Sequence, residues 1–541
     1  MMKISFLGAT KTVTGSLFLI QTATSQVIID CGMFQGGRAM EDKNDENFVF
    51  DVADIDAVIL THAHIDHSGR LPKLVKDGFK GVVYATQATR DLCEIMLADS
   101  AHIQKMDAEW ETRKKMRKGE QEVEPMYTQQ DVDDTMKLFQ SIEYGNQVRI
   151  TDDIVLNFIN SGHMLGSAYT ELYITENGKT EKYTITGDIG NFNQPILKDP
   201  DILPETDYLI MESTYGNRYH SDITTYRGAL LEIIIATLSR GGNVVIPAFS
   251  VGRTQEVLYE INHYKENNLL GRFNDVNVVV DSPLAIQATE VFKKHYDITD
   301  DATQRLMRNG DDPLVFDGLL YSITTEESIA VNSDPTPKII LSASGMCDAG
   351  RIRHHLKHNL WRKESSVVFV GYQTEGSLGR LLLEGEKEVK LFGEEIAVNA
   401  EIHSIDAYSG HADLNGLINT VLTMQRKPGK IVLVHGEQDA MVNLKNELQK
   451  RIDVPVFMPE YGDVFDLAQQ EVRIDVLAVE PLPVKGAEKA VAEAPVLRQT
   501  KAVIRALQEL ITMLSKYTVD LSENAAVKVL ESIDAIKKMV S

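Results

Sequence analysis

The chain has 541 residues, which is too long for one ordinary hydrophobic core, because domains usually contain about 100 to 200 residues. Hydrophobic residues make up 43% and charged residues 25%, a balance that fits a folded protein of mixed α/β class and excludes bulk disorder. The formal net charge of -24 excludes a broadly basic surface, so any contact with nucleic acid must be local.

The chain shows no pattern of export or membrane insertion. No basic region leads an apolar stretch at the amino terminus, and no apolar run is long enough to cross a bilayer. Cys31, Cys93 and Cys347 are odd in number and widely spaced, which supports neither a disulfide framework nor a thiolate metal site. We therefore expect a cytoplasmic protein in a reducing compartment.

Residues 1–186 alternate short apolar runs with glycine-bearing turns, except for one long charged stretch. The β-branched runs predict strands at 3–7, 17–20, 27–30, 57–60, 154–159, 171–174 and 183–186. Residues 87–142 are highly charged and carry apolar side chains at helical intervals, which predicts helices with a basic loop around 114–118.

From residue 208 the pattern changes to strands that alternate with helices. Strands are predicted at 208–211, 243–246, 276–280 and 339–341, with helices at 226–238 and after Arg253. This alternation indicates a parallel sheet with helices on its faces. The first pattern returns after Gly385, and the apolar run 431–434 ends on His435.

Four metal-ligand side chains crowd the turn that follows the predicted strand 57–60. His62, His64, Asp66 and His67 fall within six positions, in a chain with only 14 histidines. A short loop at a strand end can point alternate side chains at two different ions. A polar loop with incidental histidines is the alternative, and the density of ligands argues against it.

This turn resembles the HxHxDH signature of the metallo-β-lactamase superfamily, which implies an αββα sandwich and two metal ions. The resemblance assigns His62, His64, His163 and Asp188 to one ion, and Asp66, His67, Asp188 and His435 to the other. It also gives Asp30 the role of orienting a ligand histidine. Imidazole and carboxylate ligands without thiolate suit Zn²⁺, with Mn²⁺ as an alternative.

Five further stretches resemble the β-CASP domain, an insertion found in nucleic-acid-processing members of the superfamily. These stretches are residues 209–216, 247–256, 281–285, 342–346 and 371–380. The resemblance implies an α/β protein with a first metallo-β-lactamase part at 1–207, a β-CASP domain at 208–385, a second metallo-β-lactamase part at 386–465, and a linker with a helical extension at 466–541. Members acting on DNA commonly have an apolar residue in place of His435, so the resemblance favours RNA as the substrate.

The resemblance also implies catalytic roles. Glu212, His411 and His435 match the family's motifs A, B and C, and Asp66 counts as both a ligand and a catalytic residue. Two ions can hold a hydroxide that attacks the scissile phosphate in line. His411, with its ring held by Glu212, then donates a proton to the leaving 3′ oxygen. Without the family pattern, a surface histidine and a helix-capping acid would be the simpler interpretation.

Five residues are candidates for contacts with RNA phosphates. Ser344 and Gly345 lie in a glycine-rich turn that precedes a locally basic segment containing Arg351, and such a turn offers free backbone N–H groups. Arg253 and Arg380 each follow a glycine turn. An ordinary solvated helix face remains an alternative for Arg351.

These features predict a zinc-dependent ribonuclease that leaves 5′-phosphate and 3′-hydroxyl ends. A small-molecule metallohydrolase, such as a phosphodiesterase or lactonase with the insertion as a lid, is the alternative enzyme, and it would hydrolyse small esters but not RNA. A non-enzymatic RNA-binding scaffold is the other alternative. It ranks last because every ligand position is filled.

The end of the chain differs from the rest. Pro481 and Pro483 lie in an Ala/Glu/Lys-rich stretch that predicts a linker, and residues 503–514 and 522–539 carry apolar side chains at helical spacing. Two such helices are too small to bury both apolar stripes by themselves, so they must pack on the body or on a second copy. A homodimer through these helices is therefore one of two expected arrangements.

Truncation before Pro481 is expected to leave metal content and cleavage of a short RNA intact, because the removed segment contains no cluster of metal ligands or nucleophiles. Sedimentation should instead report a changed mass, or thermal unfolding a changed stability. A truncated protein that stays folded and metal-replete but no longer cleaves RNA would contradict this prediction.

Overall fold

The structure is a computed structural model that describes residues 2–220, 223–371, 373, 376–405, 409–469, 472–477 and 482, with the backbone alone at 223–226. The chain divides into one unit at Met1–Val479 and a second at Glu480–Ser541. The predicted helical hairpin near the carboxyl terminus lies outside the described residues.

Most strands of the first part of the chain coincide with predicted ones, but those at 82–85, 139–141 and 148–149 were not predicted. The strands are β1 (Lys3–Phe6), β2 (Phe18–Gln21), β3 (Gln26–Ile29), β4 (Ala57–Ile59), β5 (Val82–Ala85), β6 (Phe139–Ser141), β7 (Val148–Arg149), β8 (Ile154–Asn160), β9 (Ala168–Glu176), β10 (Lys179–Ile185) and β11 (Tyr208–Glu212). The later strands are β12 (Val244–Pro247), β13 (Val278–Asp281), β14 (Leu319–Tyr321), β15 (Ile339–Ser342), β16 (Ser366–Phe369), β17 (Glu388–Leu391), β18 (Glu394–Ala397), β19 (Glu401–Ser404), β20 (Lys430–Val434), β21 (Val456–Phe457), β22 (Asp463–Phe465) and β23 (Arg473–Val476).

The helices lie between these strands. They are α1 (Arg38–Glu41), α2 (Ile65–Ser68), α3 (Leu71–Lys76), α4 (Gln87–Met116), α5 (Gln129–Met136), α6 (Ile223–Ser239), α7 (Arg253–Glu266), α8 (Pro283–Lys294), α9 (Asp301–Arg308), α10 (Thr325–Ser333), α11 (Ile352–Asn359), α12 (Leu378–Leu383), α13 (Leu414–Leu422) and α14 (Gln438–Gln449). Among the described residues, none of the helices combines the length and apolar character that crossing a bilayer requires.

The charged stretch 87–142 differs from its prediction in two places. Lys114 and Lys115, expected in a loop, lie in the last turn of α4, since lysine and arginine are good helix formers. The chain turns only after Met116, at a segment that includes Gly119 with a φ of 76°. The short strand β6 was not predicted, because its residues are mostly exposed at the sheet edge and lack an apolar run.

Two sheets face each other to form the body of the molecule. The first has the order β23-β22-β1-β2-β3-β4-β5-β6, and the second the order β21-β20-β11-β10-β9-β8-β7. Alternate residues of β11 show the layering: Ile210 packs between the sheets, while Leu209 and Met211 pack on the opposite face against residues of α13 and α14. Both faces of such a strand are buried, which explains its continuous apolar run. The observed body is the expected αββα sandwich.

The insertion contains a six-stranded sheet of its own. Its order is β14-β13-β15-β12-β16-β19, and every neighbouring pair is parallel. Residues of α6 and α7 pack on one face, and residues of α11 and α12 pack on the other. The predicted parallel sheet with helices on its faces is confirmed.

The chain passes between the sandwich and the insertion sheet at residues that differ from the predicted domain boundaries. The strand β11, predicted to open the insertion, pairs with β10 and β20 in the sandwich. The strand β19, assigned to the sandwich beyond residue 385, pairs with β16 of the insertion. The strand β23, placed in the linker, pairs with β22. Strands this short carry no signal of which sheet they join, so composition alone could not assign them.

The strands β8, β10, β11 and β20 run in the same direction in the second sheet, as do β3, β4 and β5 in the first. The carboxyl ends of strands that run in the same direction meet at one edge of a sheet. Nearly all candidate ligands and catalytic groups lie at such a strand end, within three residues after it, or on the turn that follows. His411 is the exception. The fold therefore gathers them at one end of the sandwich.

Candidate metal centre and active site

The turn after β4 is held tightly against the rest of the sandwich. A Cβ atom at Gly32 would lie 1.6 Å from the carbonyl oxygen of Asp66, so only glycine allows this approach. Ser68 Oγ donates to the carbonyl oxygen of Ala63 at 2.9 Å, and α2 begins at Ile65. These contacts fix the backbone from which the ligand side chains project.

One group of four side chains converges on a single point. His64 Nδ1 lies 3.2 Å from His62 Nε2 and 3.1 Å from His163 Nε2. Asp188 Oδ2 lies 3.4 Å from Nε2 of both His62 and His163. Tetrahedral zinc sites with bonds of about 2.0–2.1 Å place neighbouring ligand atoms about 3.3 Å apart. The observed separations match this spacing, so the group could hold one metal ion.

A second group lies on the other side of the same aspartate. His67 Nε2 and His435 Nε2 are 3.1 Å apart, and Asp66 Oδ2 lies 3.9 Å from the first and 3.5 Å from the second. Asp188 Oδ1 lies 3.4 Å from both His67 Nε2 and His435 Nδ1. Asp188 therefore offers one oxygen to each group.

The protonation states of His62 and His163 suit cation binding. Burial lowers the pKa of His62 and of His163 well below the ordinary value, and this leaves neutral imidazoles, the form that binds metal. Asp188 Oδ1 is buried and accepts no hydrogen bond from the part of the chain that the structure describes. An orphaned, buried carboxylate oxygen beside neutral imidazoles is the donor set expected around a cation.

Four of the five candidate ligand histidines are oriented by a hydrogen bond to a ring nitrogen. His67 Nδ1 donates to Asp30 Oδ2 at 2.6 Å, the contact implied by the sequence resemblance. Three partners were not predicted: Thr61 Oγ1 beside His62 Nδ1 at 3.0 Å, the Gly410 carbonyl beside His163 Nδ1 at 3.1 Å, and Thr214 Oγ1 beside His435 Nδ1 at 3.1 Å. Thr61 directly precedes the ligand motif, but a backbone carbonyl leaves no signal in the sequence.

His411 and Glu212 form a pair next to the metal-ligand groups. His411 Nδ1 donates to Glu212 Oε1 at 3.2 Å and lies 3.9 Å from Asp188 Oδ2. Glu212 is fully buried and also accepts the backbone N–H groups of Ile189 at 2.6 Å and Thr214 at 3.2 Å. Burial by itself would lower the pKa of His411, but Glu212 and then Asp188 outweigh it and raise that pKa to about 9. The pair therefore favours a protonated imidazole.

The backbone at His411 has a further partner that sequence reasoning missed. His220 Nε2 donates to the carbonyl oxygen of His411 at 3.0 Å, and the backbone N–H of His220 donates to Asp413 Oδ2 at 3.1 Å. A lone histidine outside the recognised motifs gave no reason to expect this contact.

The five candidate RNA contacts all follow carboxyl ends of strands in the insertion, but the arginines have partners within the protein. Arg351 donates to Asp281 Oδ1 at 2.7 Å and to the Ile323 carbonyl at 2.7 Å. Arg253 is buried beside Glu256, and Arg380 Nε donates to Glu384 at 2.7 Å. Ser344 and Gly345 lie directly after β15. The basic residues predicted to meet phosphate are thus already paired with acids or carbonyl groups.

Three family models match the chain. The metallo-beta-lactamase superfamily model matches residues 11–234, a Beta-Casp domain model matches residues 254–382, and a Zn-dependent metallo-hydrolase RNA specificity domain model matches residues 395–459. These matches confirm the predicted fold class with its inserted domain. They also agree with a site built from histidine and aspartate.

Curated relatives are similar over most of the chain. The protein named Ribonuclease TTHA0252 from Thermus thermophilus is 37% identical over 450 residues, which cover 83% of this chain and 96% of that protein. Transcription termination factor FttA of Methanocaldococcus jannaschii is 33% identical, over 84% of this chain and 70% of its own. The FttA protein of Thermococcus kodakarensis is 32% identical, over 86% and 71%.

The substitution Asp30→Asn is expected to lower metal affinity about 10- to 100-fold, the usual cost of losing a group that orients a ligand histidine. The amide keeps the shape of the side chain but removes the negative charge that holds the proton of His67 on Nδ1. Competition with a chromogenic chelator measures the affinity. Asp54→Asn, at an exposed carboxylate, is the matched control, and equal affinities in both variants would refute the role of Asp30.

Proposed function

The chain belongs to the β-CASP family of the metallo-β-lactamase superfamily, and from that premise we propose that it is a ribonuclease that hydrolyses phosphodiester bonds in RNA. The observation that carries the proposal is the position of Asp188, which offers one oxygen to each of two ligand groups beside the His411–Glu212 pair. The name of the Thermus relative and the RNA specificity model support RNA as the substrate.

We propose that the two ligand groups hold two zinc ions. The first group is His62, His64, His163 and Asp188, and the second is Asp66, His67, Asp188 and His435. When bound, such ions act as Lewis acids on a phosphate oxygen and lower the pKa of coordinated water. The imidazole-rich donor set suits zinc, and manganese is the alternative metal for the same ligands.

The protein side chains handle the proton that the leaving group needs. With Nδ1 of His411 donating to Glu212, the proton on Nε2 of the same ring is the one available for transfer to the leaving 3′ oxygen. Glu212 stabilises the imidazolium before transfer and holds the ring in place. Cleavage by this route leaves a 3′-hydroxyl and a 5′-phosphate.

The helices predicted beyond Pro481 are proposed to mediate a homodimer. A cytoplasmic setting is proposed because Cys31, Cys93 and Cys347 are buried free thiols, and burial raises the pKa of Cys31 to about 12. Unreactive thiols of this kind suit a reducing compartment.

The metal-replete protein is expected to cleave end-labelled RNA, and His411→Ala is expected to reduce the rate about 10²- to 10⁴-fold while metal content stays unchanged. The reason is that His411 donates a proton and is not a ligand. His435→Ala, by contrast, should lose metal. Gel analysis of the RNA and elemental analysis of each variant provide the two measurements.

Substrates bearing a 5′-triphosphate, 5′-monophosphate or 5′-hydroxyl define the mode of cleavage. Internal fragments identify an endonuclease, and stepwise shortening identifies a 5′ exonuclease. Turnover of bis(p-nitrophenyl) phosphate without cleavage of any RNA would instead favour the small-molecule hydrolase. Equal loss of metal from both histidine variants would contradict the division of roles.

The substitution Glu212→Gln is expected to move the alkaline fall in the cleavage rate to lower pH. A general acid works only while protonated, so the rate falls as pH rises through the pKa of His411. The Glu212 carboxylate raises that pKa, and its neutral amide does not. A pH profile of kcat/KM for both proteins measures the shift, and superimposable alkaline limbs would remove Glu212 from the mechanism.

A further inference from the structure

The strand order of the insertion sheet reverses between β12 and β16. From β12 the chain continues to β13 and β14 on one side of the sheet, whereas from β16 it continues to β19 on the other side. Ligands of open parallel sheets bind in the crevice where the strand order reverses in this way. Phe249 lies there, two residues after β12 ends at Pro247.

Glycines from the two neighbouring strands leave the ring of Phe249 uncovered. Gly345 follows β15 and Gly371 follows β16. A Cβ atom at Gly345 would lie 3.1 Å from the ring of Phe249, and one at Gly371 would lie 3.6 Å from it. Phe249 keeps 42% of its surface exposed, although the rest of its loop is partly or fully buried.

Hydrogen bonds hold this arrangement in place. The carbonyl oxygen of Phe249 accepts from Thr254 Oγ1 at 2.8 Å and from the Thr254 backbone N–H at 3.3 Å. The buried side chain of Gln373 donates to the carbonyl oxygens of Gly345 at 2.9 Å and Gly371 at 3.0 Å. The exposed ring therefore stands on a fixed backbone, which lowers the entropy cost of binding a flat partner.

The carboxyl edge of the insertion sheet leads directly to the metal-ligand groups. The strand β19 ends on this edge at Ser404, beside Phe369 at the end of β16. His411 follows Ser404 by seven residues and lies 3.9 Å from Asp188 Oδ2. Seven residues span at most about 25 Å, so the carboxyl edge at β16 lies within that reach of the metal ligands.

The charge of the chain limits which contacts can hold RNA on the insertion. The formal net charge is -24, and the three arginines predicted to meet phosphate are paired within the protein. Phosphate neutralisation is therefore a weak source of affinity at this edge. Stacking of a base on an aromatic ring needs no charge and tolerates any sequence.

We propose that Phe249 is a stacking platform for an unpaired base of an RNA strand bound along the carboxyl edge of the insertion sheet. The inference rests on the proposed ribonuclease function and adds the class of ligand, a single-stranded segment whose bases are free to stack. Paired bases in a duplex do not present this face, so the platform selects unpaired RNA.

Binding is measured on full-length, metal-loaded His411→Ala protein, which is expected to hold RNA without cutting it. Single-stranded oligoribonucleotides carrying 2-aminopurine report stacking as a loss of fluorescence. Phe249→Leu in this background is expected to weaken binding about 5- to 150-fold and to abolish the quenching, because leucine keeps apolar volume but has no ring face. Phe249→Tyr should restore both signals.

The salt dependence separates stacking from charge. The slope of binding against salt concentration should be the same with and without the ring, because Phe249→Leu removes no phosphate contact. Trp361→Leu is the matched control. Trp361 is 57% exposed but follows α11 at the opposite edge of the sheet, where Asn359 bonds to Asn243 before β12.

Cleavage by the wild-type protein is scored separately, so that the two proposals can fail independently. If the wild-type protein cleaves RNA but the Phe249→Leu and parent proteins bind it equally, the stacking platform is refuted. The ribonuclease proposal is then unaffected. Ring-dependent quenching without any cleavage would overturn the ribonuclease and leave the platform. If Phe249→Leu weakens the binding of duplex and single-stranded RNA equally, the selection of unpaired bases is refuted.

Discussion

A buried carboxylate between two sets of imidazoles is the constraint on which the site depends. Asp188 is 2% exposed and lies 3.4 Å from ring nitrogens on both sides. Burying a carboxylate without a compensating charge costs several kcal/mol, so positive charge must be supplied. In the protein alone, His67 supplies part of it: burial would lower its pKa, but Asp188, Asp30 and Asp66 raise it well above the ordinary value. Bound cations supply the charge without protonating a ligand.

The sandwich brings the polar groups of the site together at one edge. Strands that run in the same direction deliver their carboxyl ends to one edge, where most of the candidate ligands are buried and His64 and Asp66 are partly exposed. Groups such as Asp30, Thr61 and Thr214 then occupy the hydrogen-bonding capacity that the ligands do not use. A site so enclosed has little freedom to rearrange, which favours rapid and selective binding of cations with the right coordination preference.

The insertion contributes a different kind of surface. Its arginines stabilise the domain through acids one helical turn away or on neighbouring strands, such as Arg253 with Glu256 and Arg351 with Asp281. The ring of Phe249, by contrast, is exposed at the carboxyl edge. An acidic chain of this kind binds a polyanion through local, directed contacts, because its overall field repels one.

The sequence by itself determined which residues form the candidate metal centre, because His62, His64, Asp66 and His67 lie within one turn and their spacing can be read directly from the chain. It also determined buried strands such as β11 and β20, since burial on both faces leaves an uninterrupted apolar run. Only the tertiary structure decided which sheet β11 and β19 join, that Gly410 and Thr214 orient ligand histidines, and that the arginines are internally paired. These features depend on residues that are far apart in the chain and that meet only after the strands have been assembled.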